Sequence, residues 1–413
     1  MPLHRTSFSS SASTGQVPPA LPPLDYSLVA NLFFLLFLGL ADNQMIAALL
    51  PALIRSLHVS VSGAGMLVVV YSVGAGVAAF LSGKLSDHYG RRRFLLAGVM
   101  IFALASALAF RTRSFGGLLA ARALTGLGAG TLSTCSIAFA GDWFPYAVRG
   151  RAIGLISTAY FAAPILGVPL AAQVADRFGW RHPFLMFALL GLVVTLSSLT
   201  IPREPVNPAS TLEGPSGTIR IFRSFLARRD TAAALVIAFL VSGGLVGFLT
   251  YIGQWLHRQF AVSTRGIGWI FMLGGLVAVA GSPLGGSLSD RLGKRTVAIA
   301  SNVVLALAIT LVPFFPWGAG LLILFCVTSL ATAFRQGPLT ALITELVSQR
   351  QRGFFVALHN IASQLGIASV VLAGGLIYER YGYVAVTTLC AAMTGLVAIL
   401  LATHIVEPQA ERV

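Results

Sequence analysis

Twelve apolar stretches, most of them about 20 residues long or more, follow one another along the chain with only short polar gaps between them. Roughly 20 mainly apolar residues are what a helix needs to cross the hydrocarbon core of a bilayer. The stretches fall near 28–54, 62–83, 94–110, 117–140, 151–175, 183–201, 231–256, 266–288, 297–313, 318–342, 353–377 and 383–405. Only 10% of the residues are charged and 56% are hydrophobic, whereas soluble domains carry about 25% charge. The expected fold is therefore an all-α polytopic membrane protein with twelve transmembrane helices. A formal net charge of +15 raises nucleic acid as a partner. The basic residues sit in the gaps between apolar runs and form no continuous patch, which excludes that class. Cys135, Cys326 and Cys390 all lie inside apolar runs, so no disulfide framework is implied.

The polar segments organise the chain. Residues 1–24 are rich in Ser and Pro and lack the apolar region of a signal peptide, which reads as a disordered cytoplasmic tail. Residues 25–201 hold six spans, 231–406 six more, and 407–413 a second tail. Between them, residues 202–230 form a linker that ends in the basic RIFRSFLARR, a candidate amphipathic surface helix. With the N-terminus placed inside, 18 of the 28 Lys and Arg fall on the inner side and eight on the outer side. That bias puts both termini in the cytoplasm. The outer eight are Arg55, Arg111, Arg113, Arg177, Arg181, Arg258, Arg265 and Arg380.

An internal repeat defines the architecture. GKLSDHYGRR at 83–92 aligns with GSLSDRLGKR at 286–295, an offset of 203 residues. The same offset carries Asp142 to Glu345, Arg149-Gly150 to Arg352-Gly353, and DRFGW at 176–180 to ERYGY at 379–383. Four matched loops at one offset predict two homologous six-helix bundles related by an axis along the membrane normal, with the substrate site between them near the midplane.

Asp42 lies in GLADNQMIAALLPAL, deep in the first run, and the other twelve acids lie in loops, tails or at helix ends. A carboxylate at that depth is inexpensive while protonated and needs water or a cation when ionised. That is what a proton carrier requires. A substrate-cation ligand or a structural bond are the alternatives. Arg122 in the fourth run is the obvious counter-charge. At 1.5 Å per residue, Asp42 lies about 21 Å and Arg122 about 27 Å from the inner ends of their helices. Arg122 could also bind an anionic substrate group or be purely structural. Arg335, in FRQGPLT, has no copy at the repeat offset. It either meets a polar or anionic substrate or reaches back to the inner surface. The remaining cavity candidates are Asn43, Gln44, Tyr71, Tyr160, Tyr251, Gln254, Trp269, Gln336, Asn360 and Gln364. Tyr251, like Trp255, also suits an aromatic interface belt.

The paired loop sequences resemble a motif of the major facilitator superfamily that occurs once in each half. ARALTGLGAG, with Arg122, is similar to the fourth-helix motif of its proton-coupled members, and the nearest likeness is to bacterial twelve-helix drug:proton antiporters. In the antiporter motif of the fifth helix, Gly150, Pro164 and Gly167 fit, while Ala159, Ala163 and Val168 stand where glycine is expected. The resemblance implies a conformational latch made by Gly83, Asp87, Gly90, Arg91, Arg92 and Asp142, and again by Gly286, Asp290, Gly293, Arg295 and Glu345. Asp87 would touch the start of the eleventh helix near Gly353 when the protein faces outward. It further implies a monomer in the bacterial inner membrane that moves a small-molecule substrate in exchange for protons. The alternatives are a proton symporter or importer of a sugar or organic anion, a lysolipid transporter, or a receptor that does not transport. The chain has no phosphate-binding Gly-Lys-Ser/Thr loop, no ligand-spaced histidines and no nucleophile elbow. No enzyme activity, cofactor or metal is expected.

Overall fold

The computed structural model describes residues 24–203, 222–347 and 349–405. The expected N-terminal tail up to residue 23, linker residues 204–221 and the C-terminal tail lie outside the described residues. Every regular element among those described is helical. The first half comprises α1 (Tyr26–Leu57), α2 (Val61–Tyr89), α3 (Arg91–Arg111) and α4 (Phe115–Trp143). It continues with a broken fifth span, α5 (Tyr146–Ser157), α6 (Ala159–Ala162), a π-turn (Ala163–Gly167) and α7 (Val168–Phe178), and then α8 (His182–Ser198). The second half comprises α9 (Arg229–Phe260), α10 (Thr264–Leu292), α11 (Lys294–Leu311), α12 (Ala319–Glu345) and α13 (Gln349–His404). Ten helices are long and apolar enough to cross a membrane, and α8 is a shorter apolar helix. The apolar part of α13 has 51 residues, about 77 Å at 1.5 Å per residue and more than twice the hydrocarbon thickness. Its backbone breaks at Gly382 (φ 77°, ψ −175°), so it supplies spans eleven and twelve. These helices account for the twelve expected crossings.

The helices start and stop where the sequence supplies caps. Ser60 and Ser263, 203 residues apart, accept the amides of Gly63 and Gly266 at 3.1 Å and open spans two and eight in the same way. Gly90 and Gly293 close those spans with φ of +90°, a conformation that a side chain resists. The repeat also appears as matched contacts. Arg91 bonds Asp142 at 2.7 Å, and Lys294 bonds Glu345 at 2.8 Å. Arg92 donates to the Leu199 carbonyl at 2.8 Å, and Arg295 donates to the Ala402 carbonyl. In each case both partners move by the same 203 positions.

Within the first bundle, spans two and four pack backbone to backbone. A Cβ at Gly126 would lie 2.1 Å from the Tyr71 carbonyl oxygen, and one at Gly130 would lie 2.3 Å from that of Ala75. Small residues permit this approach where lipid offers no hydrophobic drive. At the start of the second half a short helix covers 222–227. It buries Phe225 against Phe355, with ring centroids 5.2 Å apart, and leaves Phe222 and Leu226 exposed. That two-faced pattern falls in the segment expected to be amphipathic.

Candidate functional site at the junction of spans one, two and four

Asp42 and Arg122 meet inside the first bundle. Arg122 donates from a terminal guanidinium nitrogen to one Asp42 carboxylate oxygen, and both residues are 0% exposed. The guanidinium carbon sits 4.5 Å from the centroid of the Tyr71 ring, a cation–π contact. The Tyr71 hydroxyl donates to the Gly39 carbonyl at 2.7 Å, one turn before Asp42 on the same helix. Three spans are thus tied at one point by one ion pair and one aromatic ring. Among the described residues, the second Asp42 oxygen accepts no hydrogen bond and two Arg122 nitrogens donate none. The fifth span reaches the same place. A Cβ on Gly167 would lie 2.4 Å from the Ala41 side chain, and Gly167 closes the π-turn that contains Pro164. Such turns often mark functional positions in helices.

The two halves touch toward the ends of the spans opposite the termini. A Cβ on Gly253 would lie 2.2 Å from the Ala47 carbonyl oxygen, and one on Gly65 would lie 2.3 Å from the Tyr251 hydroxyl. Glu379 accepts the Ser62 amide across the seam at 2.7 Å. Nearer the termini, positions Gly83, Gly150, Gly286 and Gly337 face open space. Among the described residues, no hydrogen bond or ion pair joins the halves at that end.

The expected cavity residues take different places, some at this seam and some away from it. Tyr251 is buried and donates to the Val371 carbonyl at 2.6 Å, which makes it part of the closed end. Asn43, Gln254 and Gln364 are partly buried, and each holds a buried side-chain oxygen without a protein partner. Gln364 packs beside Gly76 of span two, which brings it to the boundary between the halves. Gln44 and Asn360 are partly buried. Tyr160, in the middle of the fifth span, is 50% exposed. Trp269 and Gln336 are exposed. Arg335 is 1% exposed and donates to Asn302 at 3.1 Å, inside the second bundle between α11 and α12. It does not reach the inner surface. Asn302 was not singled out from the sequence, although a lone amide within an apolar span is a signal in itself.

In the expected latch, Arg91 bridges Asp142 at 2.7 Å and Asp87 at 2.8 Å. Asp290 is exposed and makes no ion pair among the described residues. The partner of Glu345 is Lys294, which stands at the repeat position of Arg91 and could have been found from it. The surroundings of Gly353, the expected partner region of Asp87, lie outside the described side chains. Burial raises the Asp87 carboxyl above its ordinary value, and Arg91 opposes that rise. A raised value means that this arrangement binds a proton more readily than a solvated carboxyl does. It is favoured as pH falls and bears a cost where Asp87 is ionised. Asp87→Asn is therefore expected to enrich this arrangement at neutral pH. Cysteine accessibility along the terminal-side seam, higher in the variant than in the parent, checks this.

The family model of the Major Facilitator Superfamily matches residues 32–264 and again 234–413. The chain is 30% identical over 365 residues to the MFS-type transporter YwfA of Bacillus subtilis (strain 168), covering 86% of each protein. It is 24% identical over 360 residues to Multidrug resistance protein 2 of the same organism, covering 85% of this chain and 88% of that one. Among solved structures, it matches the D-xylose-proton symporter with a TM-score of 0.76 at 16% identity, over 92% of this chain and 98% of that one. It matches the human organic anion transporter MFSD10 (TETRAN) with a TM-score of 0.71 at 21% identity, over 92% and 100%. At those identities the structural likenesses establish the fold alone. The chain belongs to the major facilitator superfamily and is a multi-pass membrane transporter, not an enzyme.

Proposed function

We propose that this protein is a proton-coupled secondary transporter working by alternating access, an efflux antiporter for small lipophilic or amphiphilic compounds. It acts as a monomer in the bacterial cytoplasmic membrane with both termini inside. The observation that carries this reading is the buried ion pair between Asp42 and Arg122. A carboxylate sealed in the bundle is stable when an arginine neutralises it or when it takes up a proton. Protonation removes the attraction that ties span one to span four. A rearrangement that separates the two residues makes protonation favourable in turn. One equilibrium then serves both events, and this is what coupling requires.

The seam supplies the second part. With both termini inside, the arrangement is closed outside and open toward the cytoplasm. Among the described residues, Asn43, Gln254 and Gln364 hold buried amide oxygens without a partner, Gln364 beside Gly76 at the boundary between the halves, and Tyr160 is half exposed. A few acceptors among apolar walls suit amphiphilic substrates better than heavily hydroxylated ones. The likeness to Multidrug resistance protein 2 supports the same direction. A symporter or importer of a sugar or organic anion is the second reading, favoured by Ala159, Ala163 and Val168 in place of glycine in the fifth span. Reconstituted protein tests both. Efflux-type exchange driven by an inward proton gradient is the expected result, and accumulation of a sugar or anion with the protons supports the second reading.

A further inference from the structure

The ends of spans three and six opposite the termini enclose an open groove of about 550 Å³. Phe110, Arg111, Arg113, Arg181 and His182 line it. We propose that this groove binds the phosphate of an anionic phospholipid from the outer leaflet, as a site separate from the transport seam. The outer-leaflet assignment rests on the orientation proposed above.

Three arginines line the groove, and none of its lining residues is a carboxylate. Among the described residues, none of Arg111, Arg113 and Arg181 makes a side-chain hydrogen bond or ion pair. The Arg181 guanidinium is held over the Trp180 ring at 5.0 Å, which fixes its position but leaves its charge uncompensated. Its Nε and the His182 Nδ1 are both buried without a partner among the described residues. His182 opens the 17-residue α8, whose N-terminus has no side-chain cap. The amides of His182 and Phe184 are already bonded to the Gly179 and Arg181 carbonyls and Pro183 has none, so the helix adds only the positive end of its dipole to the field of the arginines. A phosphate diester, with one negative charge and oxygens spaced for the guanidinium fork, complements such a set.

The helix repeat provides an internal comparison. Moving 203 positions from Phe110, Arg111, Arg113, Arg181 and His182 leads to Pro313, Phe314, Pro316, Val384 and Ala385. The second bundle closes the same corner with no polar side chain at any of these positions, so the fold does not need the charges. They also run against the tendency of basic residues to collect on the inner face. Lipid is favoured over free phosphate by what lies beneath the groove. Toward the midplane, the same two helices expose Leu104, Leu108, Leu189 and Val193, an apolar track on which acyl chains can lie.

The test is native mass spectrometry of the full-length protein, mixed with phosphatidylglycerol, phosphatidylcholine or inorganic phosphate. Phosphatidylglycerol is expected to be retained about tenfold over phosphatidylcholine, as a cluster of basic residues at the surface allows. The triple variant Arg111→Gln, Arg113→Gln, Arg181→Gln is expected to lose that preference, and the corresponding triple lysine variant to keep most of it. Thermal unfolding confirms that each variant is folded, and Arg113→Gln alone serves if the triple variant is not. Equal retention of the two lipids, or an undiminished preference in a folded glutamine variant, would overturn the proposal. So would inorganic phosphate adducts that form as readily as the lipid adducts and vanish in the same variant, since the site would then belong to free phosphate.

Discussion

Arg122→Leu is expected to destabilise the first bundle by about 3–5 kcal/mol, the usual cost of leaving one member of a buried ion pair alone. Arg122 is 0% exposed, and among the described residues its only hydrogen-bonding partner is Asp42. Removing it strands a carboxylate among spans one, two and four, with the Tyr71 ring no longer facing a cation. The double variant Asp42→Asn, Arg122→Leu removes both charges and is expected to regain more than half of the loss. A thermal unfolding cycle of the two single variants and the double variant reads the coupling directly. If Arg122→Leu unfolds at the parent temperature, the pair is not what joins these spans.

Gly253→Leu is expected to abolish transport while leaving the helices intact. Leucine is a better helix former than glycine, so α9 itself gains. At the seam, however, the added Cβ would lie 2.2 Å from the Ala47 carbonyl oxygen. That oxygen belongs to a helix backbone and cannot swing away as a side chain would. The closed end opposite the termini is then lost, and with it this arrangement of the two halves. Moving a two-state equilibrium from one side to the other takes about 5.5 kcal/mol, and a backbone clash in a packed seam supplies a large part of that. Spin labels at Arg55→Cys and Arg258→Cys, both on exposed positions at the ends of spans one and seven opposite the termini, are expected to move apart. An unchanged distance together with normal transport would show that the seam closes elsewhere.

Some of this organisation can be read from the chain because it follows from counting. Residue counts along two antiparallel helices bring Asp42 and Arg122 to similar depths, and the structure has them in contact. The 203-residue offset, seen first in four loops, recurs in the pairs Arg91–Asp142 and Lys294–Glu345. Side-chain direction is harder to read. Apolar runs place helix ends only to within a few residues, and each residue turns a helix by about 100°. Residue type alone suits Tyr251 equally to a cavity or an interface belt, whereas the structure buries it against Val371 in the closed end. Arg335 could be placed in the tenth span but not aimed. Its partner Asn302 is 33 positions away on the neighbouring helix and has no repeat copy to mark it. The fifth span reads as one apolar run, and only Pro164 hints at the π-turn that brings Gly167 against Ala41.

The reading of Asp42 as the proton carrier is tested most directly by transport in proteoliposomes under an imposed pH gradient, comparing the parent with Asp42→Asn. Asparagine fits the same space and can still face Arg122, but it cannot take up and release a proton. A thermal-shift screen of drugs, sugars, organic anions and lysolipids first supplies the substrate. The parent is expected to transport that substrate faster when the gradient is imposed. The folded Asp42→Asn protein is expected to show no response to the gradient while retaining substrate binding. Flux through Asp42→Asn that still follows the imposed gradient would contradict the assignment of Asp42 as the proton carrier.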